Sequence, residues 1–194
     1  MLVPTAHFPD LSHYEPVESF HALAAANVPL VITKATEGNY TDPTWADYSA
    51  RIRSVPMILG GYVFQDVGDV DPQIGHFLSA AHLQTGDLQP VLDAEALGLT
   101  QAATFAALRD FESRGFAPIL YCSLSFFTDV LGSPSAWWLW LAAYRATLPA
   151  LPRGVKLFAW QRTDHAIFPG ISKPCDGNYL YVPVADLKTK FCIQ

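Results

Sequence analysis

Eight short apolar segments recur along the chain, and their spacing restricts the fold more than any other feature of the sequence. Each segment is long enough for a buried strand and too short for a membrane-spanning helix. The segments span residues 7–11, 30–35, 57–64, 88–94, 118–122, 138–142, 156–161 and 179–182. Turn-forming residues separate them, so we predict eight strands.

Helical patterns fill the gaps between the first strands but are missing from the last third of the chain. The predicted helices span residues 16–27, 43–55, 71–83, 100–113 and 126–131. Pro16 starts the first of them, where a missing backbone N–H is tolerated. Strands that alternate with helices favour a β/α barrel, and 194 residues is short of the roughly 250 typical of that fold. We therefore predict one α/β domain over residues 1–194, an eight-stranded barrel with about five helices whose last third is depleted in helices.

Two carboxylates end the fourth predicted strand. Asp93 and Glu95 follow an apolar run, and because strand side chains alternate, both are expected on one face with Cα atoms about 6.6–6.8 Å apart. Two buried acids on one face are unfavourable unless chemistry or a cation uses them. In a glycosidase, one such acid protonates the glycosidic oxygen while its neighbour stays ionised. The longer side chain makes Glu95 the expected proton donor, with Asp93 ionised beside it.

Further polar residues lie at the ends of other predicted strands. The C-terminal strand ends carry the active site in a β/α barrel, and Asp10, Glu37 and Gln161 occupy such positions. Asp176 precedes the last predicted strand instead, which an error of two or three residues in its boundary would explain. Lys34 lies inside an apolar strand, so we expect a carboxylate partner such as Asp10 or Glu37, in either a structural or a functional ion pair.

Aromatic residues are frequent on the predicted strands, and most of them are expected in the core. They are Tyr62, Phe64, Tyr121, Trp138, Trp140, Tyr144 and Trp160. We place Tyr62, Tyr121 and Trp160 at a cleft, where flat rings stack on sugar faces and a phenol forms hydrogen bonds.

Charge and residue usage argue against several other functions. A net charge of −6 without Lys/Arg clusters is unsuited to nucleic acid. No apolar run reaches membrane length, and the first residues contain no export signal. The histidines lack metal-type spacing, and no serine lies in a G-x-S-x-G motif. We therefore expect no cofactor, no metal, and neither a nucleic acid nor a membrane as a partner.

Three cysteines, Cys122, Cys175 and Cys192, form neither a zinc pattern nor a disulfide framework. A bridge between Cys175 and Cys192 is one interpretation. Three unpaired thiols in a reducing compartment is the other.

Seven motifs follow one another in a fixed order along the chain. They are Asp10-Leu11-Ser12-His13-Tyr14-Glu15, Ile32-Thr33-Lys34-Ala35-Thr36-Glu37-Gly38, Gly61-Tyr62-Val63-Phe64, Asp93-Ala94-Glu95, Trp140-Leu141-Ala142-Ala143-Tyr144, Trp160-Gln161 and Asp176-Gly177-Asn178. Each is weak alone, but the ordered set resembles the glycoside hydrolase family 25 lysozymes, the Chalaropsis-type muramidases. The resemblance implies a flattened β/α barrel that hydrolyses the β-1,4 bond between N-acetylmuramic acid and N-acetylglucosamine in bacterial peptidoglycan.

By position, the resemblance implies that Glu95 is the proton donor. Asp93 would assist through the N-acetyl group of the substrate or stabilise the reacting centre directly. The remaining matches are two cleft acids and two aromatic substrate contacts, Asp10, Asp176, Tyr62 and Trp160. With the residues inferred above, the expected substrate contacts are Tyr62, Tyr121, Trp160, Glu37, Lys34 and Gln161.

Two positions depart from the family pattern. Val63 stands where a histidine is usual, and Glu15 stands where a glutamine is usual. Neither removes a matched acid, so the expected consequence is a changed subsite or substrate preference. The family also commonly carries a separate wall-binding module, for which we expect no residues within this chain.

The sequence favours a muramidase that acts by retention or by substrate assistance. A glycan-binding module without catalysis is the first alternative, motivated by Val63. A Mg²⁺-dependent phosphoester hydrolase is the second, because clustered acids suit a hard cation, although few cations lie near them. We expect a monomer that acts on the cell wall, either as a secreted enzyme or as a phage endolysin released from the cytoplasm.

Overall fold

A closed barrel, with strands parallel except for the last, forms the centre of the protein. The computed structural model describes residues 2–194. The strands in this range are β1 (Ala6–Leu11), β2 (Leu30–Glu37), β3 (Tyr40–Thr41), β4 (Ile58–Phe64), β5 (Val91–Asp93), β6 (Ile119–Ser123), β7 (Trp138–Ala142), β8 (Lys156–Ala166) and β9 (Cys175–Leu180). Their order is β1-β9-β8-β7-β6-β5-β4-β2-β3, and a pairing between β1 and β2 closes eight of them into a barrel. The predicted fold class is confirmed, with the short β3 as an extra strand.

The last strand runs opposite to the others. β9 is antiparallel to β1 and to β8, whereas the other neighbours in the barrel are parallel. It starts at Cys175, four residues before the predicted start at 179. Because its direction is reversed, its first residues lie at the barrel edge where the parallel strands end. Asp176 therefore lies at this edge for two reasons: β9 begins earlier than predicted, and it runs antiparallel to its neighbours.

Helices cover the first part of the barrel and are missing beside its last strands. The helices are α1 (Phe20–Ala25), α2 (Trp45–Arg53), α3 (Val70–Ala81), α4 (Gln101–Ser113) and α5 (Val184–Asp186), together with π-helical turns at Phe126–Val130 and Leu187–Phe191. The described chain has no helix between residues 132 and 183, which agrees with the predicted depletion. No helix in residues 2–194 combines the length and apolarity needed to cross a membrane.

Local capping explains where two helices begin. The backbone N–H of Ala103 donates to Oγ1 of Thr100 at the start of α4, as expected for a capping threonine. The first helix differs from the prediction because Ser19, rather than Pro16, precedes it. Oγ of Ser19 accepts from the backbone N–H of Ala22 at 3.2 Å, so α1 begins at Phe20. The fifth predicted helix is a single π-helical turn instead.

Close packing between α2 and the barrel depends on a glycine. A Cβ added to Gly61 would lie 2.9 Å from the ring of Trp45, a distance at which one of the two groups would have to move. Gly61 therefore lets the buried Trp45 of α2 pack against β4. Its side of β4 faces the helices, and the opposite side faces the barrel interior.

The C-terminal segment closes the other end of the barrel. Leu88 forms an isolated bridge with Cys192, and the backbone N–H of Gln89 donates to the carbonyl of Phe191 at 2.7 Å. The fourth predicted strand, 88–94, is consequently reduced to Val91–Asp93. Cys175 lies at the opposite end of the barrel from Cys192, and all three cysteines are free and buried. Of the two interpretations, unpaired thiols describe this structure.

Candidate active site

Four acidic residues meet at the barrel edge where the parallel strands end. Asp10 lies near the end of β1, Asp93 is the last residue of β5, and Glu95 follows two residues later. Asp176 joins them from β9, directly opposite Asp10 in the strand register. One cavity, with about 310 Å³ of empty space, is lined by Asp10, Tyr62, Asp93, Glu95, Tyr121, Trp140, Gln161 and Asp176. We call it the acidic cavity, and it brings together the four acids that were predicted as catalytic.

A chain of hydrogen bonds holds Asp10 in place. Nδ2 of Asn178 donates to Oδ2 of Asp10 at 2.7 Å, and Nε2 of Gln161 donates to both carboxylate oxygens at 3.2 and 3.3 Å. The indole N–H of Trp140 donates to Oδ1 of Asn178 at 2.7 Å, and the Tyr121 hydroxyl donates to Oε1 of Gln161 at 2.8 Å. Burial raises the pKa of Asp10, and the hydrogen bonds from Asn178 and Gln161 lower it. Burial has the larger effect, so the pKa is raised to about 6.

Asp93 and Glu95 differ in burial. β5 ends at Asp93, which is 6 % exposed, while Glu95 lies on the exposed loop that follows. Burial raises the pKa of Asp93 well above its usual range, the carboxylates of Glu95 and Asp10 raise it further, and Lys34 opposes them. Burial also raises the pKa of Glu95, and this effect exceeds the lowering by the Tyr121 hydroxyl and by the charge of Lys34. Burial and the two neighbouring carboxylates thus oppose the ionised Asp93 that the sequence predicts, and its ionisation stays a prediction.

One oxygen of Asp93 has unused bonding capacity. Oδ1 is buried and has no hydrogen-bond partner among residues 2–194. A buried carboxylate oxygen without a partner is unfavourable. Asp93 lines the acidic cavity, so a donor that enters the cavity would reach this buried oxygen once the carboxyl group turns.

Lys34 has the carboxylate partner that its burial predicted. Its Nζ donates to Oε2 of Glu37 at 2.8 Å, which selects Glu37 rather than Asp10 from the two expected partners. Neither residue lines the acidic cavity. The positive charge of Lys34 nevertheless acts on Asp93, whose pKa it lowers.

The aromatic residues at the cavity differ from the predicted set at one position. Tyr62 and Tyr121 line the cavity, and Trp160 does not. Trp160 is buried with its indole N–H donating to the carbonyl of Ala143. Gln161 follows it on β8 and lines the cavity, so the alternation of strand side chains turns Trp160 to the other face.

The tryptophan that lines the cavity is Trp140 of β7, not Trp160. It is 2 % exposed, packs against Tyr121 at a centroid distance of 4.7 Å, and was interpreted as core from the sequence. Asn178 was likewise missed as a site residue, although it lies in one of the motifs. Only the period-two rule could have separated Trp160 from Gln161, because neighbours on a strand face opposite sides.

The two departures from the family pattern lie in different environments. Val63 follows Gly61 by two residues on β4, so it faces the helix layer, where it is fully buried. Glu15 accepts hydrogen bonds from the backbone N–H and the hydroxyl of Ser12, both at 2.9 Å. Its charge raises the pKa of Asp10 and of Asp176. Val63 therefore cannot alter the cavity directly, whereas Glu15 can act on it electrostatically.

The spacing of ligand-type side chains gives a metal site no support. In the described range, 2–194, no group of three or more His, Cys, Asp or Glu side chains is arranged to hold a metal ion.

Comparison with known proteins gives two matches at the level of sequence. The model of the glycosyl hydrolases family 25 matches residues 9–171. The autolytic lysozyme of Clostridium acetobutylicum is 26 % identical over 164 residues, which cover 81 % of this chain and 50 % of that protein. The chain thus spans about half the length of that curated relative.

Solved structures share the fold over nearly the whole chain. A bacterial lysozyme from Streptomyces coelicolor matches with a TM-score of 0.84 at 22 % identity, covering 94 % of this chain and 95 % of the other. A family 25 glycosyl hydrolase from Bacillus anthracis has a TM-score of 0.84 at 19 % identity, with coverages of 95 % and 93 %. A muramidase from Trichobolus zukalii has a TM-score of 0.78 at 26 % identity, with coverages of 94 % and 97 %.

Proposed function

Since this chain belongs to glycosyl hydrolase family 25, we propose that it is a muramidase that hydrolyses the β-1,4 bond between N-acetylmuramic acid and N-acetylglucosamine in bacterial peptidoglycan. The observation that carries the proposal is the acidic cavity, in which Asp93 and Glu95 lie beside Asp10 and Asp176. The names of the matched proteins, among them an autolytic lysozyme and a muramidase, agree with it.

Glu95 is the proton donor in this proposal. Its place on the loop after β5 gives it access to a glycan in the cavity, while its partial burial raises its pKa and favours the protonated form. A carboxylic acid with a raised pKa can protonate the leaving oxygen near neutral pH. Loss of that proton leaves a carboxylate that can accept one from the attacking water.

Asp93 assists from the floor of the cavity. An acetamido N–H of the substrate would supply the partner that Oδ1 of Asp93 lacks. A donor to the charged form lowers a pKa, so substrate binding would favour the ionised Asp93 and orient the acetamido oxygen towards the reacting carbon. The same negative charge would stabilise an oxocarbenium-like centre.

Aromatic and amide groups would hold the glycan around the acids. Tyr62, Tyr121 and Trp140 present rings to the cavity, and Gln161 presents its side chain beside Asp10. Trp160 would act indirectly, through the loop whose Ala143 carbonyl it binds. Lys34 and Glu37 lie outside the cavity lining, and Lys34 would contribute through its charge.

The deciding experiment measures reducing ends released from purified peptidoglycan, with the fragments identified by mass spectrometry. We expect new ends at N-acetylmuramic acid for the wild type and their loss in Glu95→Gln. As a matched control, Glu112→Gln removes an acid from α4 that binds Trp137 on the outside of the barrel. Binding to several wall types without release of any ends would replace the proposal with the glycan-binding module, and activity abolished by EDTA would replace it with a metal-dependent hydrolase.

A further inference from the structure

Asp10 and Asp176 form a second acid pair, distinct from Asp93 and Glu95. They are Cα partners in the antiparallel register of β1 and β9, and both line the acidic cavity. Directly opposed residues on such strands have Cβ atoms about 4.5–5.5 Å apart. Two carboxyl groups that share a buried site do not both ionise readily, because each negative charge disfavours the other.

The hydrogen bonds around Asp10 identify the member of the pair that carries the charge. An indole N–H can only donate, so the contact from Trp140 places the oxygen of the Asn178 amide towards Trp140 and its NH₂ group towards Asp10. Gln161 accepts from the hydroxyl of Tyr121 through Oε1 and donates to Asp10 through Nε2. Asp10 thus faces two N–H donors, which favour an ionised acceptor at this position.

The surroundings of Asp176 favour the opposite state. Within residues 2–194, its side chain takes part in no ion pair or side-chain hydrogen bond. The titratable groups that act on it are Asp10 from β1, Glu15 from the turn after β1, Asp164 from β8 and Glu95 from the loop after β5. Tyr144, after β7, also lies within electrostatic reach. The carboxylates among these groups disfavour a charge on Asp176, and no side-chain hydrogen bond offsets them.

We propose that Asp10 and Asp176 hold one proton between them and that it resides on Asp176, so that an ionised acceptor and a neutral carboxylic acid donor lie side by side in the cavity. Burial and the neighbouring acids raise the pKa of Asp176 to about 8, compared with about 6 for Asp10, which agrees with this order. The neutral acid donates a hydrogen bond to a hydroxyl or acetamido oxygen of the bound glycan, and it is a positioning residue rather than a proton donor to the leaving group. The inference deepens the proposed function and rests on it for the identity of the glycan.

Carbon NMR of the full chain labelled at the aspartate carboxyl carbons tests the proposal without any assay of activity. Asp10→Asn and Asp176→Asn assign the two resonances. We expect Asp176 to titrate at a higher pH than Asp10, and Asp10 to titrate at a lower pH once Asp176 is replaced by Asn. A midpoint for Asp176 near the ordinary value of about 4, or one below that of Asp10, would overturn the proposal.

Kinetics on peptidoglycan give a second readout. The amide of Asp176→Asn still donates a hydrogen bond but cannot ionise, so the rise in KM that we expect for the wild type above pH 8 should be absent in this variant. Asp176→Ala removes the donor and should raise KM at every pH.

Asp10→Asn places an NH₂ group against the amide donors of Gln161 and Asn178. This variant should therefore lose at least about tenfold more kcat/KM than Asp176→Asn. Equal losses in the two Asn variants would contradict the assignment.

Failure of this inference can be distinguished from failure of the proposed function. If the wild type releases no reducing ends, the muramidase proposal fails and the NMR titration alone decides the protonation order. If the wild type is active and its two carboxyl groups titrate in the reverse order, the muramidase stands and the shared-proton assignment falls.

Discussion

The two acid pairs occupy one cavity, but different parts of the chain hold them. Asp93 and Glu95 are close in sequence, at a strand end and on the loop after it, and Oδ1 of Asp93 has no partner. Asp10 and Asp176 are far apart in sequence and meet only because β9 runs antiparallel to β1. The first pair keeps bonding capacity free for a substrate, whereas the hydrogen bonds of Asp10 fix its position. From this difference we predict that reactivity belongs to the first pair and positioning to the second.

The largest expected effect is on the first pair. Asp93→Asn keeps the shape of the side chain but replaces one acceptor with a donor and removes the charge, so we expect kcat on peptidoglycan to fall about 10²-fold or more. Asp47→Asn, on the exposed side of α2 where Asp47 pairs with Arg51, is the matched control. A loss in Asp93→Asn no greater than in the control would contradict the division of roles.

A smaller effect is expected when the support of the second pair is weakened. Trp140→Phe keeps an aromatic ring and removes the N–H that holds Asn178. A buried acceptor left without its donor costs about 1–3 kcal/mol, which denaturant unfolding would measure, and kcat should fall several-fold because Asp10 is no longer oriented. Trp138→Phe is the control, since Trp138 packs on Phe191. Equal stability of the two variants would show that the indole hydrogen bond does not support the cavity.

The dependence of stability on pH should also differ between the wild type and Asp176→Asn. With the pKa of Asp176 raised to about 8 in the fold and about 4 in the unfolded chain, the folded state binds more protons between these values. Stability contributed by this group is therefore present at low pH and is lost as pH rises through the window. We expect Tm of Asp176→Asn to exceed that of the wild type by several degrees at pH 8, and by less at pH 5. Parallel Tm curves would argue against a raised pKa.

The smallest effect on activity is expected at Val63, which lies outside both pairs. Val63→Ala creates a cavity between β4 and the helices and should cost about 1–3 kcal/mol of stability. Because the side chain is turned away from the acidic cavity, kcat should stay within about twofold of the wild type. A tenfold loss of kcat in a folded variant would show that the departure at this position does affect the site.

Local patterns were sufficient for most of the architecture. The strand at Trp138–Ala142 has the predicted bounds, and α4 begins one residue after the predicted position, with Thr100 as its cap. The ordered motifs identified the family correctly, and of the acids predicted at strand ends, Asp10, Asp93 and Glu95 share one cavity whereas Glu37 lies outside its lining. These features depend on neighbours in sequence, through side-chain alternation, capping and burial.

Assignments that depend on which face a strand presents were less successful. Trp160 and Gln161 were both placed at the cleft, although consecutive strand residues face opposite sides. A register shift between β7 and β8, which falls between Leu139 and Trp140, further separates the sequence pattern from the final orientation. Trp140 could be recognised as a cavity residue only once the neighbouring strands were in place.

The sequence by itself determined the order of strands and helices, the family, and the acids that the strand ends would carry. Only the tertiary structure decided that β9 runs antiparallel, that Asp176 therefore faces Asp10, and that Trp140 and Asn178 support this pair. The physical reason is that alternation and capping act within a few residues, whereas strand direction and hydrogen bonds between distant side chains arise only when the barrel closes.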